Sequence, residues 1–336
     1  MQRNERIRDS EIAYRDARDR NFRFASSRCS AYDGVARYHL HAAASRRLRA
    51  KPMINFIIAA RRKREDTQER YFYEWGIIHV ALMISSPHVM QLFRRYVQHY
   101  SVGGITPEML RHPLSPMEWD NMAEHILDNF DDFVASTRVS DYVTRMQPHK
   151  FGDSNFVLVL SRPQVMFEEH GFERGQGGVK LVHFLKRRAG VTPEQFESQW
   201  SGRHARAVET LNRESSLIRR YVQNRKLAVP ADNFGGSLFA AGDTEGYAGV
   251  EEYWFRSVDD MAELASDPTW RDALNTSEST FVDPAGSFSM VTTERIIYDY
   301  THLERSSPRP AVLDPETLEG KIYAQGLSGW NIPKPL

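Results

Sequence analysis

Apolar and polar residues alternate along this chain in a pattern that occurs twice. The clearer instance begins at Val179–Leu185, a β-branched apolar run that predicts a strand, and Lys186–Gly190 ends it with charge and a turn residue. Thr192-Pro193-Glu194-Gln195 then has the composition of a capping box with proline at the first helical position. Phe196, Trp200, His204, Ala207 and Leu211 follow at helical spacing, which predicts one apolar face carrying an imidazole. Ile218–Val222 reads as a second strand. The same order runs from Ile54: an apolar strand, a helical stripe of Phe72, Trp75, Ile78, His79 and Leu82, then Arg95-Tyr96-Val97-Gln98. Trp75 and Trp200, His79 and His204, and the two Arg-Tyr-Val-Gln strings share one offset (200 − 75 = 204 − 79 = 220 − 95 = 125). A constant offset over matched residue types marks an internal duplication.

The rest of each copy is less regular. In the second, Gly249–Phe255 is a good third strand and Met290–Ile297 a fourth. In the first, prolines within Gly103–Pro116 argue against a strand where the third is due. Asp120-Asn121-Met122-Ala123-Glu124 resembles Asp259-Asp260-Met261-Ala262-Glu263 (261 − 122 = 139), which predicts a second-copy loop fourteen residues longer before its third strand. Phe156–Leu160 reads as the last strand of the first copy, and polar Ser161–Gly178 as a linker. The expected organisation is an arm over 1–52, a first domain over 53–162, a linker over 163–178, a second domain over 179–300 and a C-terminal arm over 301–336 anchored through Trp330 and Ile332. The 1–52 segment is Arg-rich without apolar periodicity, and its acidic residues argue against a transit peptide. Met53 is an alternative start. The long 228–249 insertion has the length of a lid or binding loop.

Composition narrows the function by exclusion. The net charge of zero leaves no footprint for nucleic acid or anionic membrane. No apolar run has the length of a membrane span, and a cytoplasmic location is expected. The single cysteine, Cys29, leaves no intrachain disulfide. No dinucleotide, phosphate-loop or zinc-protease motif is present. His39-Leu40-His41 is a poor metal motif in an Arg-rich arm, and no metal site is expected.

The apolar strand, Lys186-Arg187-Arg188, the Thr-Pro-Glu-Gln-Phe helix start, Trp200, His204 and Arg220-Tyr221-Val222-Gln223-Asn224 together resemble the EthD domain family. The resemblance is good from Val179 to about Ile297 and weaker from Ile54 to about Leu160. It implies an α+β fold: two ferredoxin-like, dimeric α/β-barrel repeats forming an intrachain pseudo-dimer. The family's chemistry is varied, so function has to be argued from the site.

A histidine on a sheet-facing helix is either a core residue satisfied by a hydrogen bond or a general acid–base group. Its repetition in both copies, among Trp, Tyr and Phe, suits acid–base chemistry on an apolar aromatic or cyclic compound. His204 is the expected base or acid, with Tyr221 and Asn224 placing hydrogen bonds on a substrate oxygen. His183 and Glu251 are further candidates, Trp200 and Trp254 apolar walls, Arg187 a partner for a developing enolate, and His79 the weaker counterpart of His204. The second copy is expected to hold the working site. The expected reaction is a cofactor-independent lyase, dehydratase or isomerase step. The alternatives are a ligand-binding protein without turnover and a haem protein with a sheet-facing histidine as axial ligand. A small-molecule apolar or aromatic ligand is the expected partner, with a homodimer beyond the intrachain pseudo-dimer as a second.

Overall fold

A computed structural model describes residues 53–309, except 115–118 and 176. The expectations for residues 1–52, Trp330 and Ile332 lie outside the described residues. Eight strands close into a ring: β1 (Ile54–Ala60), β2 (Phe93–Ser101), β3 (Asn121–Leu127), β4 (Val157–Glu168), β5 (Val179–Leu185), β6 (Arg220–Lys226), β7 (Gly249–Phe255) and β8 (Phe288–Asp299), in the order β1-β3-β2-β8-β5-β7-β6-β4. All pairs between neighbours are antiparallel. The fold is α+β, a closed barrel with helices against its outer face.

The two long fourth strands join the halves of the ring. The first part of β4 pairs with β1 through Asn55↔Ser161, and its remainder pairs with β6 as far as Glu168↔Arg220. Similarly, β8 begins on β5 at Phe184↔Phe288 and ends on β2 at Arg95↔Asp299. The expected linker over 163–178 is therefore corrected, because residues 163–168 belong to β4. Beyond Ser161 this strand has no partner on its β1 side among the described residues; residues 162–165 are exposed, and Pro163 costs no ladder bond there.

A second correction concerns the third strand of the first half. It is present as β3 (Asn121–Leu127), and the helix of this half starts after it, at Phe130. The register pairs Gln98 with Ala123 and Gln223 with Glu251. Beyond the loop the halves therefore correspond at an offset of 128 (251 − 123), and the loops differ by three residues rather than fourteen.

In both halves the helix after the first strand contains a π-helical turn, Glu74–His79 and Trp200–His204. Such turns are rare and gather at functional positions. The Thr192–Gln195 capping box forms as the sequence predicts, and Thr67 caps the corresponding helix of the first half. Each π turn is tied to the sheet in the same way. Gln98 donates from Nε2 to the Trp75 carbonyl at 3.1 Å, and Gln223 to the Trp200 carbonyl at 3.0 Å. Packing under Trp200 is tight enough that a Cβ at Gly249 would fall 2.5 Å from the indole ring. None of the helices among the described residues is long and apolar enough to cross a membrane.

Candidate functional site

Side chains alternate across each strand, so one set faces the lumen and the other faces the helices. Alternation separates residues that the sequence analysis had grouped. His204, Trp200, Tyr221, His183 and Glu251 meet between the second-half sheet and its helices. Asn224 and Trp254 sit on the opposite, lumenal face. There Asn224 accepts from Asn55 Nδ2 at 3.1 Å, and Trp254 donates to Glu294 at 2.9 Å beneath the Lys180 ammonium. Arg187 is exposed and forms an isolated bridge with Val282. These three residues are therefore corrected out of the His204 cluster.

Glu251 is the hub of the second-half cluster. It is fully buried and accepts from Tyr221 at 2.8 Å, Tyr253 at 2.8 Å and the Trp200 indole. His204 Nε2 lies 3.0 Å from its Oε1 and His183 Nδ1 lies 3.6 Å from its Oε2. Burial alone would raise the Glu251 pKa, but the two adjacent imidazoles hold it well below the ordinary carboxylate range. On its other side His204 Nδ1 is 2.8 Å from Ser277 Oγ, which donates to the Leu274 carbonyl at 2.8 Å. His204 is thus hydrogen-bonded through Nδ1, faces the Glu251 carboxylate through Nε2 and is wholly inaccessible. The void in this half, about 120 Å³, lies beside His183, Arg111 and Tyr253.

The first half repeats this scaffold without the hub. Tyr96 stacks on His125 (4.6 Å, 9°) as Tyr221 stacks on Tyr253 (4.6 Å, 7°), and Gln98 donates to Tyr96 at 3.0 Å. Ala123 stands where the second half has Glu251, and Ile58, which pairs with Ala123, stands where it has His183. With no carboxylate to draw the aromatic residues together, a cavity of about 810 Å³ opens between sheet and helices. That volume is in the range of small-molecule sites. The larger open cavity thus lies in the first half, whereas the working site was expected in the second.

Three imidazoles, those of His79, His125 and His149, line this cavity among Trp75, Tyr96 and several phenylalanines. His79 Nδ1 has no hydrogen-bond partner among the described residues. Desolvation, with His149 and His125 nearby, pushes the His79 pKa well below that of a free imidazole, so the ring is neutral at neutral pH. Burial likewise lowers His125 to about 4. His149 stacks over His79 at 6.0 Å, and its Nε2 lies 3.1 Å from Glu74. His125 and His149 were not foreseen. His125 lies on β3, a strand that the string match at 120–124 does not reveal, and His149 comes from a turn with no periodic signal.

Each cavity is covered by a loop from the other half. Ser237–Ala241, in the long insertion, closes over the first-half cavity, with Phe239 edge-on to Phe56 at 4.9 Å. Reciprocally, Met109, Leu110 and Arg111, from the loop after β2, cover the small second-half void.

The fold and cavity define a closed α+β barrel with a small-molecule-sized chamber under one helix layer. Residues 188–285 match the EthD domain, so the resemblance seen in the motif holds for the second half. A chalcone isomerase, cfoK of Aspergillus candidus, is 20% identical over 226 residues, spanning 66% of this chain and 88% of that protein. Among solved structures, an anthrone oxidase-like protein superposes with a TM-score of 0.50 at 9% identity, over 74% of this chain and 95% of the other. A mutant chlorite dismutase from Candidatus Nitrospira defluvii reaches 0.37 at 9% identity, over 72% and 92%, too low to add to the comparison.

Proposed function

We propose that this protein is a cofactor-independent enzyme that binds a flat, largely apolar aromatic or cyclic compound in the first-half cavity. There it moves a proton in an isomerisation or elimination. The observation that carries this reading is the aromatic chamber of about 810 Å³ with the neutral His79 imidazole in its wall. A neutral imidazole in a dry pocket can take a proton from an acidic C–H or a phenol and return it elsewhere on the same molecule. His149, beside Glu74, is placed to serve as the second acid–base group. The similarity to a chalcone isomerase supports proton-transfer chemistry on an aromatic ketone. The ring of strands supports a reading as two ferredoxin-like repeats joined as an intrachain pseudo-dimer, in which the second repeat traded its cavity for the Glu251 network. A soluble, cytoplasmic protein suits such a reaction.

Two alternatives make different demands. A binding protein without turnover would use the same cavity. A haem ligated by a sheet-facing histidine needs an imidazole nitrogen open to a large void, which His204 lacks. The test is a panel of chalcone- and anthrone-type compounds, followed for turnover and for quenching of tryptophan fluorescence. His79→Gln should lower turnover about 10²–10⁴-fold while ligand still binds. Unchanged turnover in His79→Gln, or loss in His204→Gln with an unchanged melting temperature, would overturn the assignment. A haem band in the visible spectrum would overturn its cofactor-independent part.

A further inference from the structure

Behind the Glu251 hub lies a second group of ligating side chains that the proposed reaction does not use. Glu278, at the end of the helix Pro268–Glu278, presents Oε1 to His204 Nε2 at 3.7 Å, while Arg111 holds its other oxygen. His112 Nε2 is 3.5 Å from Glu278 Oε2, and the His112 ring stands edge-on to His183 at 4.9 Å. Among the described residues, neither ring nitrogen of His112 or of His183 makes a hydrogen bond, although both residues are about 99% buried. Buried polar atoms without partners call for an explanation such as an ion or water.

The histidine tautomer sharpens the problem. The Ser277 hydroxyl proton is committed to the Leu274 carbonyl, so Ser277 Oγ accepts from His204 Nδ1–H. Nε2 then faces two carboxylate oxygens, Glu251 Oε1 and Glu278 Oε1. That arrangement needs a positive charge at Nε2, carried either by a proton on the ring or by a bound ion. The lumen shows how this barrel treats a comparable group. There His99, Glu124 and Glu294 also cluster, but Lys180 and Arg174 fill the space between the carboxylates. At Glu251 and Glu278 the one lysine or arginine in contact is Arg111, among the described residues, and it is on the outer oxygen.

We propose that His204, Glu251 and Glu278, whose ligand atoms lie within 4.8 Å of one another, form a binding site for one divalent transition-metal ion of the zinc or iron(II) class, with His183 and His112 as outer partners of the two carboxylates. Ligand atoms at roughly 2.0–2.2 Å from a tetrahedral ion stand about 3.3–3.6 Å apart. His204 Nε2 stands 3.0 Å from Glu251 Oε1 and 3.7 Å from Glu278 Oε1. Imidazole with carboxylate suits these ions rather than calcium or magnesium. Ser277 on Nδ1 of His204 is the kind of outer partner that fixes a ligating tautomer. A void of about 120 Å³ lies at the edge of this group, beside His183 and Arg111. Because His112 comes from the loop after β2, the ion would pin that loop to the opposite half.

The test uses untagged full-length protein, dialysed and then titrated with Co²⁺, whose visible d–d absorption reports nitrogen and oxygen ligation. Zinc retained after dialysis is measured by mass spectrometry. The expected result is saturation near one equivalent, with affinity reduced at least about 10-fold in both His112→Gln and Glu278→Gln. Circular dichroism checks that each variant is folded, and His112→Gln, a loop change, covers the case in which Glu278→Gln is not. No absorption band and no retained zinc would overturn the proposal. So would a band unaffected by both substitutions, which would place the ion elsewhere.

Discussion

Removing the Glu251 carboxylate tests whether the second half is held by that network. Glu251→Ala leaves three buried donors, Trp200 Nε1, Tyr221 OH and Tyr253 OH, without their acceptor. A buried donor left unpaired costs about 1–3 kcal/mol, so the three together represent roughly 3–9 kcal/mol. A domain's whole stability is about 5–15 kcal/mol. The variant is expected to melt far below the parent or to lack a cooperative transition. Glu251→Gln keeps an acceptor oxygen and should lose less. Its informative readout is pH. The folded pKa of Glu251 is depressed, so its contribution is present above the unfolded value of about 4.3 and is lost as pH falls through the folded value. Below that window parent and Gln variant should converge. The assay is urea and thermal denaturation by tryptophan fluorescence from pH 3 to 8. If Glu251→Ala melts within a few degrees of the parent, the network is incidental and water satisfies the donors, as an open cavity like the first half's would allow.

Other consequences are equally concrete. Glu252, in the lumen beside Glu124, is pushed up to about 8 by burial and by that neighbouring carboxylate. A raised acid favours the folded state below its unfolded pKa, and this contribution is lost as pH rises through about 8. Glu252→Gln should therefore gain on the parent in melting temperature across that window, and a parallel pH profile would contradict it. Ala123→Glu restores the missing hub in the first half. It should cut ligand-induced fluorescence quenching at least 10-fold while the protein stays folded, and undiminished binding would place the ligand elsewhere. Phe239→Ala trims the cover over the first-half cavity, and stopped-flow mixing should show faster ligand exchange with little change in the far-ultraviolet spectrum.

Periodicity made the duplicated strand–helix–strand legible, because residues 54–98 and 179–224 keep one offset and their apolar faces repeat. It failed where a short string was compared without its context. Asp-Asn-Met-Ala-Glu resembles Asp-Asp-Met-Ala-Glu, but the first sits at a strand start and the second in a helix. Aligning Asp131-Asp132-Phe133 with Asp259-Asp260-Met261 would have given the offset of 128, and with it Ala123 opposite Glu251. The site was half legible for a different reason. Sequence placed a histidine under each helix, but which one faces space depends on a residue on another strand. Alternation along β6 and β7 was also available, and it separates Asn224 and Trp254 from Tyr221 and Glu251 without any coordinates.

The strand that completes the ring, β8, is also the last of the described strands to be synthesised. Arg95 finds its partner in Asp299, 204 residues later. At about 5–20 residues per second, β2 waits roughly 10–40 s on the ribosome with one edge unpaired. Pairings this remote are slow to form, and an unpaired edge strand is a template for wrong partners. For this chain the vulnerable interval is during synthesis rather than after folding, and slower translation or a shortage of chaperones would lower yield without any change in the native state.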